Sequence, residues 1–584
     1  MSAERRSLRR LGLGLVGLVA LVWVIAAGWT LLQARRELRS GMDAVSLVRD
    51  HLTPADLAAG RPLPGLRSAA ADFAHAHRRI DAPIFIGVRF LPVVGRQLRS
   101  LSTLSGAATK VSTVALDAAS QGRALLNART QTLSGEGGTA DALAALADHA
   151  ASQLAAVSLG PRHGLVGALA DARTKLGSDL DQLRSALHRA SVGGRALSDL
   201  LTRSHRYLVF AANNAEMRSG SGMFLSVGEL STGPDGLHLG PFQTVTDIPV
   251  PAGAVAVSGD LAARWGWLAP TQEWRNLMAS PRFDVQAPLA AQMWSALGHP
   301  PVDGVLALDS VTLQYLLKAT GPVAVAGHQF DADNVVDELL HGEYVEFNTY
   351  LDAQNNQRRE ELGQIAGATF DALAHGGWSR TTLAEGLARA ARGRHILLWS
   401  RDAAAEAGWQ ALAVDGAVHP DSLMVSILNR GGNKLDYFLH AAVDLSFSPQ
   451  GRQTAVSVSI TLQNRVPAGE PVEVAGPAPR VPVASGVYVG LISITMPRGA
   501  TGGHVDGVDQ LAVAGEDGPT EVMAFPFQLA AGQTHTFVGR FLLPVTRGTL
   551  VVEPSARVPV VAWTSAGQSW SDTGRHAVAW KHSA

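Results

Sequence analysis

The sequence contains no cysteine, and aromatic residues make up only 6% of its 584 residues. Without cysteine the chain can form no disulfide, no thiolate metal site and no cysteine nucleophile. It also lacks the Gly-x-Ser-x-Gly nucleophile elbow, the Walker phosphate loop and the His-Glu-x-x-His zinc motif. Ordinary serine hydrolases, nucleotide triphosphatases and zinc peptidases therefore find no support in the sequence.

Net charge is the second property that the chain lacks. Its 49 Lys and Arg residues are balanced by 50 Asp and Glu residues. No overall field would attract a polyanion, which argues against a dedicated nucleic-acid-binding protein. Hydrophobic residues account for 46% of the chain and charged residues for 17%, a composition typical of folded proteins. From the length of 584 residues we expect at least two domains.

The longest apolar run lies near the N-terminus. Residues 11–32 are 22 uncharged residues, and as a helix at about 1.5 Å per residue they would span roughly 33 Å, enough to cross a bilayer. The run predicts a transmembrane helix, with residues 1–39 as cytoplasmic tail and anchor and the body outside the cytoplasm. A cleaved signal peptide is the alternative, although no small-x-small cleavage site follows the run. Arginines flank it on both sides: Arg5, Arg6, Arg9, Arg10, Arg35, Arg36 and Arg39.

The rest of the chain divides into three parts by pattern. Residues 40–204 carry apolar residues at helical spacing and predict a helical stalk domain, with a loop at the glycine-rich residues 134–138. Residues 205–420 alternate short apolar runs with helical segments and predict a central α/β domain. Residues 421–584 alternate apolar and polar residues between Pro- and Gly-rich turns and predict a β-sandwich. The expected fold class is α+β and multidomain, behind an N-terminal transmembrane helix.

The beginning of the central domain presents a candidate site. Residues 207–212 are an apolar run of strand length that ends at Asn213 and Asn214, residue types that favour turns. A polar, glycine-containing segment at residues 215–222 then leads to a second apolar run at residues 223–230. We expect this segment to be a loop between two strands, where a site could be presented.

A strand-helix-strand unit follows farther along the chain. Residues 304–308 form a predicted strand, Asp309 can cap the helix after it, and Gly321 ends that helix before a strand at residues 323–326. Such a unit implies a sheet covered by helices.

Four of these segments resemble the signature of family 4012 of the domains of unknown function, which is common in actinobacterial envelope proteins. The segments are Tyr207–Arg218, Val302–Asp309, Leu313–Val323 and Gly432–Tyr437. The resemblance covers roughly residues 80–550 of the chain. Where the family usually has Arg-Pro-Thr-Gly-Gly, this chain has Arg218 followed by Ser-Gly-Ser-Gly, so the loop differs but the arginine is kept.

The order of the parts also resembles that of LytR-CpsA-Psr phosphotransferases, membrane-anchored enzymes that move glycopolymers from a polyprenyl-pyrophosphate carrier onto the cell wall. This resemblance implies that the central domain is like theirs and that Arg218, Arg358 and Arg359 bind a pyrophosphate, with Asn213 and Asn214 beside it. Arginine suits that role because its planar fork donates two hydrogen bonds to one phosphate group.

The same resemblance implies a divalent metal ion. Phosphoryl transfer usually needs Mg²⁺ to stabilise charge on the transferred oxygens, and the implied ligands here are Asp309 or Asp247. One departure weighs against catalysis: where the phosphotransferases have a central Pro-Arg-Asp motif, residues 244–249 contain no arginine.

Each candidate also has a simpler structural interpretation. Arg218 could pair with Glu216 or bond loop carbonyls, and the two arginines of the helix could lie on a solvated face. Asp309 could be only a helix cap, and the two asparagines could only shape a turn.

Two functions remain open from the sequence. The first is a membrane-anchored, extracytoplasmic envelope protein that binds a cell-wall glycopolymer or a polyprenyl-linked saccharide without chemistry of its own. The second is a phosphotransferase acting on the same ligands. Convergence of Arg218 with Arg358 or Arg359 in one cleft would favour phosphate binding, whereas outward-pointing side chains would argue against both phosphate interpretations.

Overall fold

The computed structural model describes residues 3–49, 53–128, 133–349, 351–478 and 481–582, without the side chains of residues 3–21, 49 and 352. The chain divides into two compact units. The smaller unit holds residues 1–129 and 139–194, and the larger unit holds residues 130–138 and 195–584.

The smaller unit is built from helices, as the sequence predicts for the N-terminal region. Its core is formed where the apolar stripe of one amphipathic helix, which includes Ala69, Phe73 and Ile80, is buried against the helices beside it. The fifth and sixth helices extend into the larger unit at one end each. The helices are α1 (Ala3–Arg49), α2 (Pro54–Ala59), α3 (Pro62–Ile80), α4 (Val94–Asn127), α5 (Leu133–Ala155) and α6 (Gly167–Thr202).

The predicted transmembrane helix is wrong. Residues 11–32 lie within α1, but among the residues that the structure describes no helix is both long and apolar enough to cross a membrane. The side chains of residues 11–21 and of the four N-terminal arginines lie outside the described residues.

The predicted loop at residues 134–138 is also wrong, because α5 begins at Leu133 and includes all five residues. Two tertiary contacts within the larger unit hold this first turn. Leu133 is buried, and the carboxylate of Glu136 accepts hydrogen bonds from Arg380 at 2.6 and 2.7 Å. Each glycine disfavours the helix by about 1 kcal/mol relative to alanine, and these contacts outweigh that cost.

The larger unit contains a central sheet in the order β3-β2-β1-β5-β8, with β4 paired to β2. The strand β1 lies parallel to β5 and antiparallel to β2, and β5 lies antiparallel to β8. The strands are β1 (His205–Met217), β2 (Gly222–Gly233), β3 (Gly236–Leu239), β4 (Gln243–Thr244), β5 (Gly304–Asp309), the pair β6 (Val323–Val325) and β7 (His328–Phe330), and β8 (Ile396–Ser400).

Both faces of the central sheet are covered, which explains why β1 is apolar at successive positions. Leu208 and Phe210 pack into one buried cluster, and Tyr207 and Val209 into another on the opposite face. The helices of this part of the chain are α7 (Gly259–Trp265), α8 (Phe283–Ala296), α9 (Ser310–Thr320), α10 (Val335–Asp337), α11 (Glu343–Glu346), α12 (Asp352–His375), α13 (Arg380–Arg392) and α14 (Ala403–Ala411).

The first strand is longer than the sequence predicts. It continues through Asn213 and Asn214 to Met217, with irregular pairing to β2 near its end. The asparagines therefore do not form a turn, because side-chain partners elsewhere in the fold hold them in extended backbone. The connecting loop is correspondingly short, from Arg218 to Ser221.

The predicted strand-helix-strand unit does not form one sheet. The strand at residues 304–308 and the cap at Asp309 are present, but β6 leaves the central sheet and pairs antiparallel with β7. The parallel neighbour of β5 is instead β1, which precedes it by almost a hundred residues in the chain.

The C-terminal part forms two six-stranded sheets that share one buried core. Alternation of buried residues along β11, such as Val456, Val458 and Ile460, places one face of that sheet in the core. The elements are β9 (Ser422–Asn429), β10 (Leu439–Gln450), β11 (Gln453–Asn464), α15 (Val472–Ala475), β12 (Tyr488–Met496), β13 (Thr501–Val505), β14 (Val513–Asp517), β15 (Thr520–Leu529), β16 (Thr534–Leu543), β17 (Arg547–Val552), β18 (Ala562–Ser565), β19 (Gln568–Ser571) and β20 (His576–Lys581).

Candidate functional site: a basic cleft in the larger unit

A cleft of about 420 Å³ lies in the larger unit, where the end of β1 meets β2, the start of α12 and the segment after β9. Its lining is mostly polar, and its aliphatic side chains are Met223, Leu225 and Val245. Cations outnumber carboxylates six to two among the lining side chains. The cations are Arg218, Arg275, Arg358, Arg359, Arg430 and Lys434, and the carboxylates are Glu216 and Glu273. We call this cavity the basic cleft.

Arg218 is a buried cation that is held by neutral oxygens. Its Nε donates to the carbonyl of Arg275 at 2.8 Å, and its Nη1 donates to the carbonyls of Met217 at 3.0 Å and Asn429 at 2.8 Å. Its Nη2 lies 3.3 Å from the side-chain oxygen of Asn276. The loop-bonding interpretation of Arg218 therefore describes its contacts well, and it does not exclude a ligand role, because the side chain also lines the cleft.

The charge of Arg218 is poorly compensated. Burial lowers the pKa of Arg218 to about 10, and attraction to Glu216 offsets only part of that effect. The residue is 6% exposed and remains protonated at neutral pH. Because a buried charge without a hydrogen-bonded counterion is unfavourable, an anion in the cleft would be stabilised.

Lys434 and Tyr344 form the next part of the cleft wall. The ammonium group of Lys434 contacts a carboxylate oxygen of Glu216 and lies 4.6 Å from the centroid of the Tyr344 ring. Burial alone would lower the pKa of Lys434, but the Glu216 carboxylate outweighs burial and raises it. The hydroxyl of Tyr344 accepts a hydrogen bond from Asn213 Nδ2 at 2.9 Å. Asn213 thus acts on the cleft through the position of the tyrosine ring.

Arg358 lies over the same ring, with its Cζ 4.7 Å from the centroid. Its Nη1 is 3.7 Å from a carboxylate oxygen of Glu343, too far for a hydrogen bond. Its Nη2 is 3.3 Å from Asn355 Oδ1, and its buried Nε has no partner in the described structure.

Glu343 does not neutralise Arg358 at neutral pH. Burial raises the pKa of Glu343 to about 8, more than the attraction to Arg358 lowers it. The carboxyl is therefore mostly protonated at pH 7, and Arg358 retains an uncompensated positive charge beside the cleft.

Two other arginines of the basic cleft have carboxylate partners. Arg275 Nε donates to Glu273 at 2.8 Å, and the Glu273 hydrogen bond raises the pKa of Arg275. Arg359 Nη1 lies 3.7 Å from Asp247, and the side chains of this pair are 31% and 63% exposed. Such a solvated pair is weak, so Arg359 remains available to a stronger anion.

Asn214 and Asp309 lie outside the cleft lining, in a buried polar network. Asn214 Nδ2 donates to Asp309 Oδ2 at 2.7 Å and to the carbonyl of Ala556 at 2.8 Å. The same Asp309 oxygen lies 2.7 Å from His395 Nδ1, and the other accepts two backbone N–H groups of α9 at 3.1 Å. The helix-cap interpretation of Asp309 therefore fits the structure, and the network ties β1 to β5 and to Ala556 in the segment between β17 and β18.

These positions do not fit a magnesium site. Both oxygens of Asp309 are engaged by protein donors, whereas Asp247 is an exposed carboxylate paired with Arg359. Mg²⁺ prefers several oxygen ligands in octahedral geometry. Within the described ranges no group of three or more His, Asp or Glu side chains is arranged to hold a metal ion.

Residues 432–437 pack against the end of β1 and so complete the cleft. Asp436 accepts hydrogen bonds from the backbone N–H of Met217 at 3.0 Å, from the hydroxyl of Tyr488 at 2.9 Å and from Arg557 Nη1 at 2.7 Å. Two segments that carried the sequence resemblance, although separated by more than two hundred residues, are therefore in direct contact.

Sequence reasoning missed several lining residues. Lys434 lies within the Gly432–Tyr437 segment, so that segment could have indicated it. Arg275, Arg430 and Tyr344 carry no local signal, because only the fold brings them to the end of β1.

The model of a family described as a protein of unknown function, DUF4012, matches residues 203–344. The predicted resemblance to this family is confirmed for that range, which contains β1, β2 and β5. The match does not extend over residues 80–550, and Arg358, Arg359 and Arg430 lie outside it. No curated protein and no solved structure matches the chain. The resemblance to LytR-CpsA-Psr phosphotransferases and the actinobacterial origin stay predictions.

Proposed function

We propose that the protein binds a phosphorylated saccharide, a glycopolymer or lipid-linked precursor of the cell envelope, and that the basic cleft holds its phosphate or pyrophosphate group. The observation that carries the proposal is the excess of cations in the cleft: six cationic side chains against two carboxylates. The chain as a whole has almost no net charge, so this local excess is a property of the site.

The electrostatic argument rests mainly on Arg218 and Arg358. Both are more than nine-tenths buried, and neither makes a hydrogen bond to a carboxylate in the described structure. An anion between them would supply the missing counter-charge in a partly desolvated site, where charge-assisted hydrogen bonds are strong.

The size of the cleft favours a diphosphate or a phosphate with an attached sugar over a lone phosphate. Its volume of about 420 Å³ falls in the range of small-molecule sites, which is roughly 300–1,000 Å³. The aliphatic side chains Met223, Leu225 and Val245 are too few to bury a prenyl chain. The cleft is thus suited to the charged group of a lipid-linked ligand, with the chain itself outside.

A phosphotransferase is the second candidate, favoured by the convergence of Arg218, Arg358 and Arg359 on one cavity. These arginines would stabilise the charge that develops on the leaving phosphate oxygens. Release of inorganic phosphate from geranyl pyrophosphate by the purified protein, lost in Arg359→Gln, would support this candidate. Binding without turnover would support the binding protein.

Isothermal titration calorimetry of the full chain tests the binding proposal. We expect inorganic pyrophosphate and geranyl pyrophosphate to bind with similar affinity and more tightly than inorganic phosphate, and we expect binding to weaken with added salt. Arg359→Gln should weaken both by about fivefold to tenfold, because one charge-assisted contact is lost.

The matched control is Arg452→Gln, which removes an exposed arginine from the turn between β10 and β11. It should leave the affinity unchanged. Absence of pyrophosphate binding by the wild type, or equal loss in both variants, would refute the assignment of the site.

A further inference from the structure

An exposed tryptophan lies next to the basic cleft. Trp267 is 55% exposed, whereas the other tryptophans of the larger unit are buried or half-buried. Leaving an indole in solvent forgoes the large apolar burial that tryptophan normally provides. Tryptophan is enriched on surfaces that contact partners, so an exposed indole beside a polar cavity is a candidate ligand contact.

The ring is held in place by its neighbours in the short helical turn Gly266–Leu268. Trp265 before it is fully buried and donates from Nε1 to Asp517 at 2.9 Å, and Leu268 after it is 5% exposed. Trp267 itself donates from Nε1 to the carbonyl of Arg264 at 3.1 Å. A ring anchored on both sides is preorganised, so a ligand would lose little free energy in ordering it.

Two contacts connect this turn to the cleft. The guanidinium carbon of Arg430, which lines the cleft, lies 5.6 Å from the centroid of the Trp267 ring. Asn276, another lining residue, donates from Nδ2 to the carbonyl of Leu268 at 2.8 Å. A group bound beside Arg430 is therefore within one sugar ring of Trp267.

We propose that Trp267 is a sugar-stacking subsite, on which the pyranose ring attached to the phosphate packs while the phosphate lies among the cations of the basic cleft. This inference rests on the proposed function. One face of a pyranose carries aliphatic C–H groups, which suit the negative face of an indole ring. The polar neighbours Arg264 and Arg430 suit sugar hydroxyls, whereas a prenyl chain would need a wider apolar surface.

The test compares ligands with and without a sugar. Calorimetry is run with inorganic pyrophosphate, with inorganic phosphate and with α-D-glucose 1-phosphate on the wild type, Trp267→Ala and Trp267→Phe. The matched control is Trp29→Ala. Trp29 is also exposed, and it is not among the residues that line the cleft. We expect glucose 1-phosphate to bind the wild type more tightly than inorganic phosphate, by about tenfold, the scale of one aromatic contact.

Trp267→Ala should abolish that preference and leave the affinity for pyrophosphate within about twofold, whereas Trp267→Phe should retain part of it. Equal affinity of the wild type for the two monophosphates, or a preference that survives Trp267→Ala, would overturn the subsite and leave the cleft assignment intact. If the wild type does not bind pyrophosphate at all, the proposed function itself is refuted. Uridine diphosphate is titrated as a further ligand: if Trp267→Ala weakens its binding but not the binding of glucose 1-phosphate, the ring stacks a nucleobase and the sugar assignment fails.

Discussion

Anion binding to the basic cleft should weaken as the pH rises through 8, because of Glu343. This carboxyl has a pKa of about 8, raised first by burial and further by the charges of Glu361, Glu338 and Glu346, and lowered in part by Arg358. Below pH 8 it is neutral and Arg358 is free to attract an anion. Above pH 8 it carries a negative charge 3.7 Å from Arg358 Nη1 and competes for that arginine.

The size of the effect follows from Coulomb's law. A dianion bound on the far side of the Arg358 guanidinium would lie roughly 8 Å from the Glu343 carboxylate, where its two negative charges and the single carboxylate charge repel by about 4 kcal/mol at an effective dielectric constant near 20. Because Glu343 can avoid this repulsion by taking up a proton, the dissociation constant rises by at most tenfold for each pH unit above the pKa, and we expect an increase of about tenfold between pH 6.5 and pH 9. Arg218, with a pKa of about 10, and Lys434, whose pKa is raised, stay charged over most of this range.

Sulfate is the appropriate probe, because its charge does not change over this range of pH. Calorimetry of sulfate binding is carried out on the wild type and on Glu343→Gln, which keeps the shape and removes the titration. We expect the variant to bind at pH 9 as tightly as the wild type binds at pH 6.5. A flat profile in the wild type, or the same slope in the variant, would refute the reasoning.

The remaining predictions concern other residues of the same unit. Asp247→Asn should tighten pyrophosphate binding by about twofold to threefold, because it releases Arg359 from a solvated ion pair worth less than about 1 kcal/mol. A weaker pyrophosphate affinity of the variant, measured by calorimetry, would contradict this prediction. Asn213→Ala removes the hydrogen bond to the Tyr344 hydroxyl. We therefore expect the free energy of unfolding in urea to fall by about 1 kcal/mol and anion binding to weaken. Unchanged binding would show that the position of the tyrosine ring does not depend on this hydrogen bond. Asp436→Ala leaves a fully buried arginine unpaired and should lower the free energy of unfolding by about 3–5 kcal/mol, and a loss under about 1 kcal/mol would be inconsistent with the observed pairing.

The sequence correctly predicted those elements whose formation depends on residues close together in the chain. The apolar run at residues 207–212, the period-two alternation around Val456 and the cap at Asp309 each correspond to an observed element. Hydrophobic periodicity and capping act over a few residues, so they can be recognised without knowledge of the fold.

Predictions failed where distant contacts decided the structure. Asn213 and Asn214 favour turns in isolation, yet hydrogen bonds to Tyr344, Asp309 and Ala556 keep them in a strand. A tertiary contact likewise overrides local propensity at the glycine-rich start of α5. No local pattern could specify these partners, which lie about a hundred or more residues away in the chain.

The residues of the candidate site likewise divide into those that the sequence could indicate and those that only distant contacts bring together. Arg218, Arg358 and Arg359 could be selected because arginine suits phosphate and because a family resemblance drew attention to them, and all three line one cleft. Arg275 and Arg430 could not be selected, because only the fold brings them to the end of β1. The two predicted metal ligands turned out to have different local roles, Asp309 as a helix cap and Asp247 as the partner of Arg359.

A crystal structure of the full chain grown with pyrophosphate is the most direct test of whether the basic cleft is an anion site. We expect density for pyrophosphate within hydrogen-bond distance of Arg358 and Arg430, which both line the cleft. A cleft that stays empty at saturating pyrophosphate, or density that lies only elsewhere on the molecule, would contradict it.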